Sequence, residues 1–184
     1  MRDLKETIEE VNISLSVLEK ERENAIRDSR EIIRLTKRAI HSIHIGEIDR
    51  NCLNELDRRM TSVTSSKDLF QDAMAEYSEA LILFAMIEGK DIPTFRELNV
   101  TPQAWVLGLA DCLGEMRRLA LTYLMNSNID PAISLFTKME AIFDALMTFD
   151  VPDAIVPIRR KQDIARGIMD RTRTDITTAM IMRK

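Results

Sequence analysis

Two pairs of carboxylates are spaced to act together. Glu76 and Glu79 lie three residues apart, and Asp111 and Glu115 lie four apart in a stretch that also carries Ala104, Gly108, Gly114 and Arg118. Residues three or four apart share one face of an α-helix, so each pair projects from a single stripe. Like charges at this spacing repel by about 0.2–0.5 kcal/mol, and a glycine inside a helix costs about 1 kcal/mol relative to Ala. A helix that accepts both costs needs a close neighbour and a counter-charge. Should the two helices pack side by side, four carboxylates would converge. A hard divalent cation with all-oxygen ligation, Mg2+ or Mn2+, would then relieve their repulsion. Such an ion activates water and stabilises charge on a phosphoryl group. The plain alternative is chance, because 30 acidic residues in a helical chain produce these spacings on solvated faces.

A basic series offers a complementary chemistry. Arg27, Arg30, Arg34, Lys37, His41 and His44 follow one another at steps of three and four, with Arg38 beside them. On a helix they form one stripe able to neutralise successive phosphates, with binding that weakens as salt rises. The alternative is a solvated face paired with Asp28 and Glu31. The formal net charge is −4, so contact with nucleic acid must come from a local patch of this kind. Arg117 or Arg118 is placed to stabilise phosphoryl charge, although Arg118 serves equally well as a structural partner of the acids. The sequence has no Gly-rich phosphate loop, no G-x-S-x-G and no cysteine with an obvious histidine partner. Neither His41 nor His44 follows a Glu by three residues, which removes a ferritin-like di-iron bundle.

The elements that must position these groups read as helices. Leu4, Ile8, Val11, Leu15 and Leu18 recur at heptad-like steps, and the pattern continues through Ile26, Ile33, Ile40 and Ile43. One very long helix over 2–45 is predicted, stopped by Gly46. A second helix is expected over about 47–63. A third is expected to open at a capping box formed by Ser65 and Asp68 and to close at Gly89, with its apolar run Ala80 to Ile87 buried all round. Residues 90–100, containing Pro93, read as a loop with one short turn. Thr101 with Pro102 starts a fourth helix, and Asp130 with Pro131 is expected to repeat that arrangement for a fifth. The fifth carries Ala132, Phe136, Met139, Phe143 and Leu146 on one face. A last helix runs to about Met182, with Pro157 in its first turn or separating a short turn from it.

With 184 residues, 45% of them hydrophobic, the chain is expected to be a single all-α domain over 1–184 of about six or seven helices. Cys52 and Cys112 lack metal-ligand spacing and read as buried thiols in a reducing compartment. The charged N-terminus carries no signal-peptide pattern, and the longest apolar run is far short of a membrane span. A cytoplasmic protein with no membrane association is expected.

The string Gly108-Leu109-Ala110-Asp111-Cys112-Leu113-Gly114-Glu115-Met116-Arg117-Arg118 resembles a motif of the translin family. In the factor X branch of that family the stretch reads much like G-V-A-D-L-T-G-E-L-M-R. Glu76-Tyr77-Ser78-Glu79-Ala80 is similar to that branch's E-Y-V-E-A, and Ser29-Arg30-Glu31-Ile32-Ile33-Arg34 through Arg38 is similar to the family's basic N-terminal segment. Cys112-Leu113 replaces the usual Leu-Thr, and the chain is shorter than eukaryotic members. The resemblance implies a seven-helix fold assembling into hollow octamers that bind single-stranded RNA and DNA. It also implies a metal-dependent endoribonuclease site built from Glu76, Glu79, Asp111 and Glu115.

The expectation is therefore an endoribonuclease that acts on single-stranded or short RNA within a homo-oligomeric shell. The four acids would hold Mg2+ or Mn2+, and Arg30, Arg34, Lys37, Arg38 and His41 would hold the phosphates. A non-enzymatic RNA- or DNA-binding scaffold is the first rival, and a helical interaction protein with no nucleic-acid role is the second.

Overall fold

A computed structural model describes residues 4–63 and 67–183, which form six α-helices and one short 3-10 turn. The helices are α1 (Leu4–His44), α2 (Arg50–Thr61), α3 (Gln71–Glu88), α4 (Pro102–Met125), α5 (Ile129–Met147) and α6 (Ile158–Met182). Among the described residues there is no strand, as the helical periodicity requires.

At a rise of about 1.5 Å per residue, the 41 residues of α1 span roughly 60 Å. The two ends of this helix behave differently. Leu4, Ile8, Val11, Leu15 and Leu18 are all exposed, whereas from Ser29 onward Ile32, Leu35, Ala39, Ile40 and Ile43 are buried. The N-terminal half of α1 thus projects, and the C-terminal half packs on α2 and α3. Gly46 and Gly89 both adopt positive φ, 76° and 66°, and stop α1 and α3 where a side chain would be strained.

Helix starts follow local chemistry. Asp49 caps α2 by accepting a hydrogen bond from the Cys52 N–H, so α2 is shorter than the expected 47–63. Ser65 lies outside the described residues. Asp68 sits in the 3-10 turn Lys67–Phe70 that leads into α3, and α3 itself opens without a side-chain cap. Thr101 caps α4 through the Ala104 N–H, with Pro102 in the first position. The arrangement expected at Asp130 does not form. The N-cap of α5 is Asn128, which leaves Asp130 in the first turn paired with Arg183 at 2.9 Å. Pro131 is tolerated one position later because its missing N–H belongs to the first turn, where no intrahelical acceptor exists. Pro157 precedes α6 and separates it from a short turn at 153–155.

The core falls into two joined clusters. One gathers α4, α5 and α6 around Leu113, Met116, Met139 and Leu146. The other gathers α1, α2 and the start of α3 around Ile32, Leu56, Met74 and Tyr77. Leu81, Phe84 and Trp105 belong to the margins of both. The run Ala80 to Ile87 is not buried all round as expected: Ala80, Ile82, Leu83 and Ala85 are buried, while Leu81, Phe84, Met86 and Ile87 are only partly buried. α3 and α4 share the most extensive helix-helix contact, and this pair carries the four acids.

Candidate functional site

The close approach of α3 and α4 has an identifiable cause. A Cβ built on Gly108 would lie 2.5 Å from the Ala75 carbonyl oxygen, 2.7 Å from the Ser78 Cβ and 2.8 Å from the Glu79 nitrogen. Only a glycine lets the α3 backbone seat itself there. Ser78, on the facing side, is fully buried and returns its hydroxyl to the Met74 carbonyl. Glu79 follows Ser78 on α3, and Asp111 follows Gly108 by three residues on α4, so the contact that brings the backbones together also brings the acids together. Gly114, on the same helix, takes no part in this contact, since a Cβ added there would meet nothing within 4 Å among the described residues.

Glu76, Glu79, Asp111 and Glu115 line one cavity of about 490 Å3, together with Lys37, Ile40, His41 and Arg118. The electrostatics there are unbalanced. Burial, and then the charges of Asp111, Glu76 and Glu115, push the Glu79 carboxyl up to about 8, with Lys161 pulling the other way. Glu76 is also raised, chiefly by burial, against the attraction of Lys37. Glu115 is lowered because His44 hydrogen-bonds to it, with Arg118 adding a weaker contact at 3.6 Å. Asp111 is paired with Lys161 of α6, whose Nζ stands 2.5 Å from Oδ1. Among the described residues no group of three or more His, Cys, Asp or Glu side chains is already set to hold a metal ion.

The donor chemistry nonetheless fits a hard cation. All four groups are carboxylates, and burial with the neighbouring acids raises one of them, Glu79, to about 8, so that added positive charge would favour its ionised form. Buried Cys112, next to Asp111, keeps its thiol form because burial and the surrounding acids raise it well above its ordinary value.

The basic stripe divides on folding. Lys37 and His41 reach the acid cavity. Arg30 and Arg34 line a separate cleft of about 620 Å3 with Arg27, Glu31 and Arg59, and Arg34 forms two hydrogen bonds to Glu31 at 2.7 and 2.9 Å. Arg38 is held by Asp49 at 2.6 Å, the same carboxylate that caps α2. His44 is not available to a phosphate: its side chain is 6% exposed, its Nε2 is engaged by Glu115, and its buried Nδ1 has no hydrogen-bond partner among the described residues. Arg117 and Arg118 point to different places. Arg117 donates to Thr172 and Asp175 of α6, at 2.9 and 2.8 Å, while Arg118 lines the cavity. Lys161 escapes sequence reasoning, since nothing distinguishes it from Arg159 and Arg160 beside it.

No family model matches the chain. An uncharacterized protein of Methanocaldococcus jannaschii is 34% identical over 167 residues, 85% of this chain and 75% of that protein. Two solved structures of AfC3PO, one of them a complex with duplex RNA, match at TM-score 0.89 with 33% identity, covering 96% of this chain and 98% of theirs. NeC3PO without ligand matches at TM-score 0.77 with 21% identity over 94% of this chain and 96% of its own, a likeness of fold. Among the described residues no helix is long and apolar enough to cross a membrane. One-third identity sustained along nearly the whole of a chain with the same helical order is more than shared architecture, and this chain belongs to the translin and translin-associated factor X family.

Proposed function

We propose that this chain is a divalent-metal-dependent endoribonuclease subunit that acts on single-stranded or short RNA inside a closed homo-oligomer, an octamer by family resemblance. One observation carries the reading: four carboxylates from two helices line a single cavity whose rim includes Lys37, His41 and Arg118. Glu76, Glu79, Asp111 and Glu115 would hold Mg2+ or Mn2+, and a bound ion of this kind supplies water activation and charge stabilisation at a phosphoryl group. Lys37 and His41 bind the backbone at the cavity. Arg30 and Arg34 bind it further along α1, about 5–10 Å from Lys37 along the axis at 1.5 Å per residue. Arg118 meets phosphoryl charge at the rim, and Arg38 contributes field rather than direct contact. The duplex RNA in the AfC3PO complex supports RNA as the ligand class, and single-stranded DNA is a further ligand of the same chemistry. Two unpaired, buried cysteines suit the cytoplasm.

The test separates cleavage from binding. The double variant Asp111→Asn, Glu115→Gln is expected to lose RNA cleavage by at least about a hundredfold (~2.7 kcal/mol) while retaining RNA affinity. Unchanged cleavage by the purified variant would end the assignment.

A second reading has its own support. Asp111 and Glu115 already have side-chain partners in Lys161, His44 and Arg118, as expected of a non-enzymatic RNA-binding scaffold whose acids are structural. Salt-dependent RNA binding without metal-stimulated cleavage, across several RNAs, decides for the scaffold.

A further inference from the structure

Lys161 reaches Asp111 from a third element and is not itself among the residues that line the cavity. α6 packs along α4, and Lys161 lies near its start, 50 positions from the Asp111 it pairs with. Its side chain is 32% exposed, so the ion pair with Asp111 is not sealed from solvent. The partners of the two α4 acids differ in kind. Glu115 is fixed by a buried imidazole and a guanidinium. Among the described residues, Asp111 has only this one ammonium as an ion-pair partner. The positive charge of Lys161 also falls on Glu76 and Glu79, where it opposes the effect of burial. One ammonium charge therefore acts on three of the four acids.

A lysine suits an exchange that an arginine would resist. The ammonium is a point charge on a four-carbon stem with rotatable donors, whereas a guanidinium grips a carboxylate through two parallel bonds. A divalent cation among these acids repels a neighbouring ammonium, which must then find another anion. Within reach of the cavity rim, the anion that RNA brings is a phosphate oxygen.

We infer that Lys161 is a displaceable counter-cation, which holds Asp111 in the metal-free protein and is handed to a phosphate oxygen of the RNA when a divalent ion takes Asp111. The inference rests on the metal-dependent reading above and adds a residue to it. It assigns Lys161 two effects of opposite sign: it competes with the metal, and it assists the substrate.

Titration of the full chain with Mn2+, without RNA and read by the paramagnetic signal of free Mn2+, tests the first effect. The expected order of affinity is K161Q, about three- to tenfold tighter than wild type, then wild type, then K161R, weaker because its fork holds Asp111 more firmly. The second effect is read at saturating Mn2+ on a short RNA: kcat falls at least about tenfold in K161Q and is largely kept in K161R. Equal or weaker Mn2+ binding by K161Q, or tighter binding by K161R, overturns the inference while leaving the metal reading intact. Should K161Q not fold, the K161R arm alone decides. Wild-type protein that takes up no Mn2+ overturns both.

Discussion

Gly108 of α4 is seated directly against the backbone of Ala75 on α3, with a hypothetical Cβ only 2.5 Å from the Ala75 carbonyl oxygen. Two effects oppose each other in Gly108→Ala. Helix propensity favours Ala by about 1 kcal/mol, and forcing a methyl group into a filled contact costs about 1–3 kcal/mol or more. The obstructing atom is backbone and cannot swing aside, so the clash wins. Gly108→Ala is expected to lower unfolding free energy by about 1–2 kcal/mol in urea denaturation. Gly114→Ala, with open space around it, is expected to gain up to about 1 kcal/mol. Equal effects at both positions would show that close packing of α3 and α4 is not what Gly108 provides.

Glu79 makes the metal-free protein sensitive to pH. Its carboxyl is raised from 4.5 to about 8 by burial and by Asp111, Glu76 and Glu115, with Lys161 as the opposing charge. The folded state therefore retains a proton that the unfolded state releases. This contribution to stability is fully present below about pH 4.5 and is lost as pH rises through about 8. In EDTA, stability is expected to fall across that window by an amount on the order of a few kcal/mol. Glu79→Gln should flatten the slope and stabilise the protein at about pH 8. An unaltered slope in the variant would place the pH sensitivity elsewhere.

Metal should reverse that loss. A ligand that binds only the folded state stabilises it by about 2.7 kcal/mol at a hundredfold excess over its Kd. Mn2+ at about pH 8 is expected to raise the melting temperature of the wild type and to leave the Asp111→Asn, Glu115→Gln variant unmoved. A shift of equal size in the variant would mean that the ion binds outside the cavity.

RNA affinity should track the divided stripe. Each phosphate contact on a single strand contributes about 0.7 to the slope of log K against log salt. Arg34→Glu with Lys37→Glu is expected to weaken binding and reduce that slope by roughly 1.4, measured by fluorescence anisotropy at several salt concentrations. Arg38→Ala should lower stability more than affinity, because Arg38 supports the Asp49 cap of α2. Should Arg38→Ala prove the more damaging to affinity, α1 presents a different face to RNA.

The projecting half of α1 is expected to build the assembly. Leu4, Ile8, Val11, Leu15 and Leu18 form an exposed seam at heptad-like spacing. Ile8→Glu with Leu15→Glu should convert the oligomer into a smaller species in sedimentation velocity, with the helical content retained. An oligomer of unchanged size would assign assembly to another surface.

Much of this arrangement is written in local sequence. Gly46, Gly89 and the Thr101-Pro102 pair mark helix ends through backbone conformation and capping, both properties of a few adjacent residues. The stripes that carry Glu76 with Glu79 and Asp111 with Glu115 are equally local. Asp130-Pro131 misled because Asn128 stands two residues earlier and takes the cap position. What local pattern does not specify is which distant groups meet. Lys161 lies 50 positions from Asp111, and His44 lies 71 from Glu115. Both pairings depend on how α6 and α1 dock on α4. Arg117 and Arg118 illustrate the same limit within one helix, where a step of about 100° sends one to Asp175 and the other to the cavity.

Anomalous diffraction from crystals soaked in Mn2+ bears most directly on the four acids. The account predicts a manganese peak inside the cavity, bonded to oxygens of Asp111 and of at least one of Glu76, Glu79 and Glu115, with Lys161 moved off Asp111. A cavity without such a peak at saturating Mn2+, with Lys161 still on Asp111 and His44 still on Glu115, would contradict it.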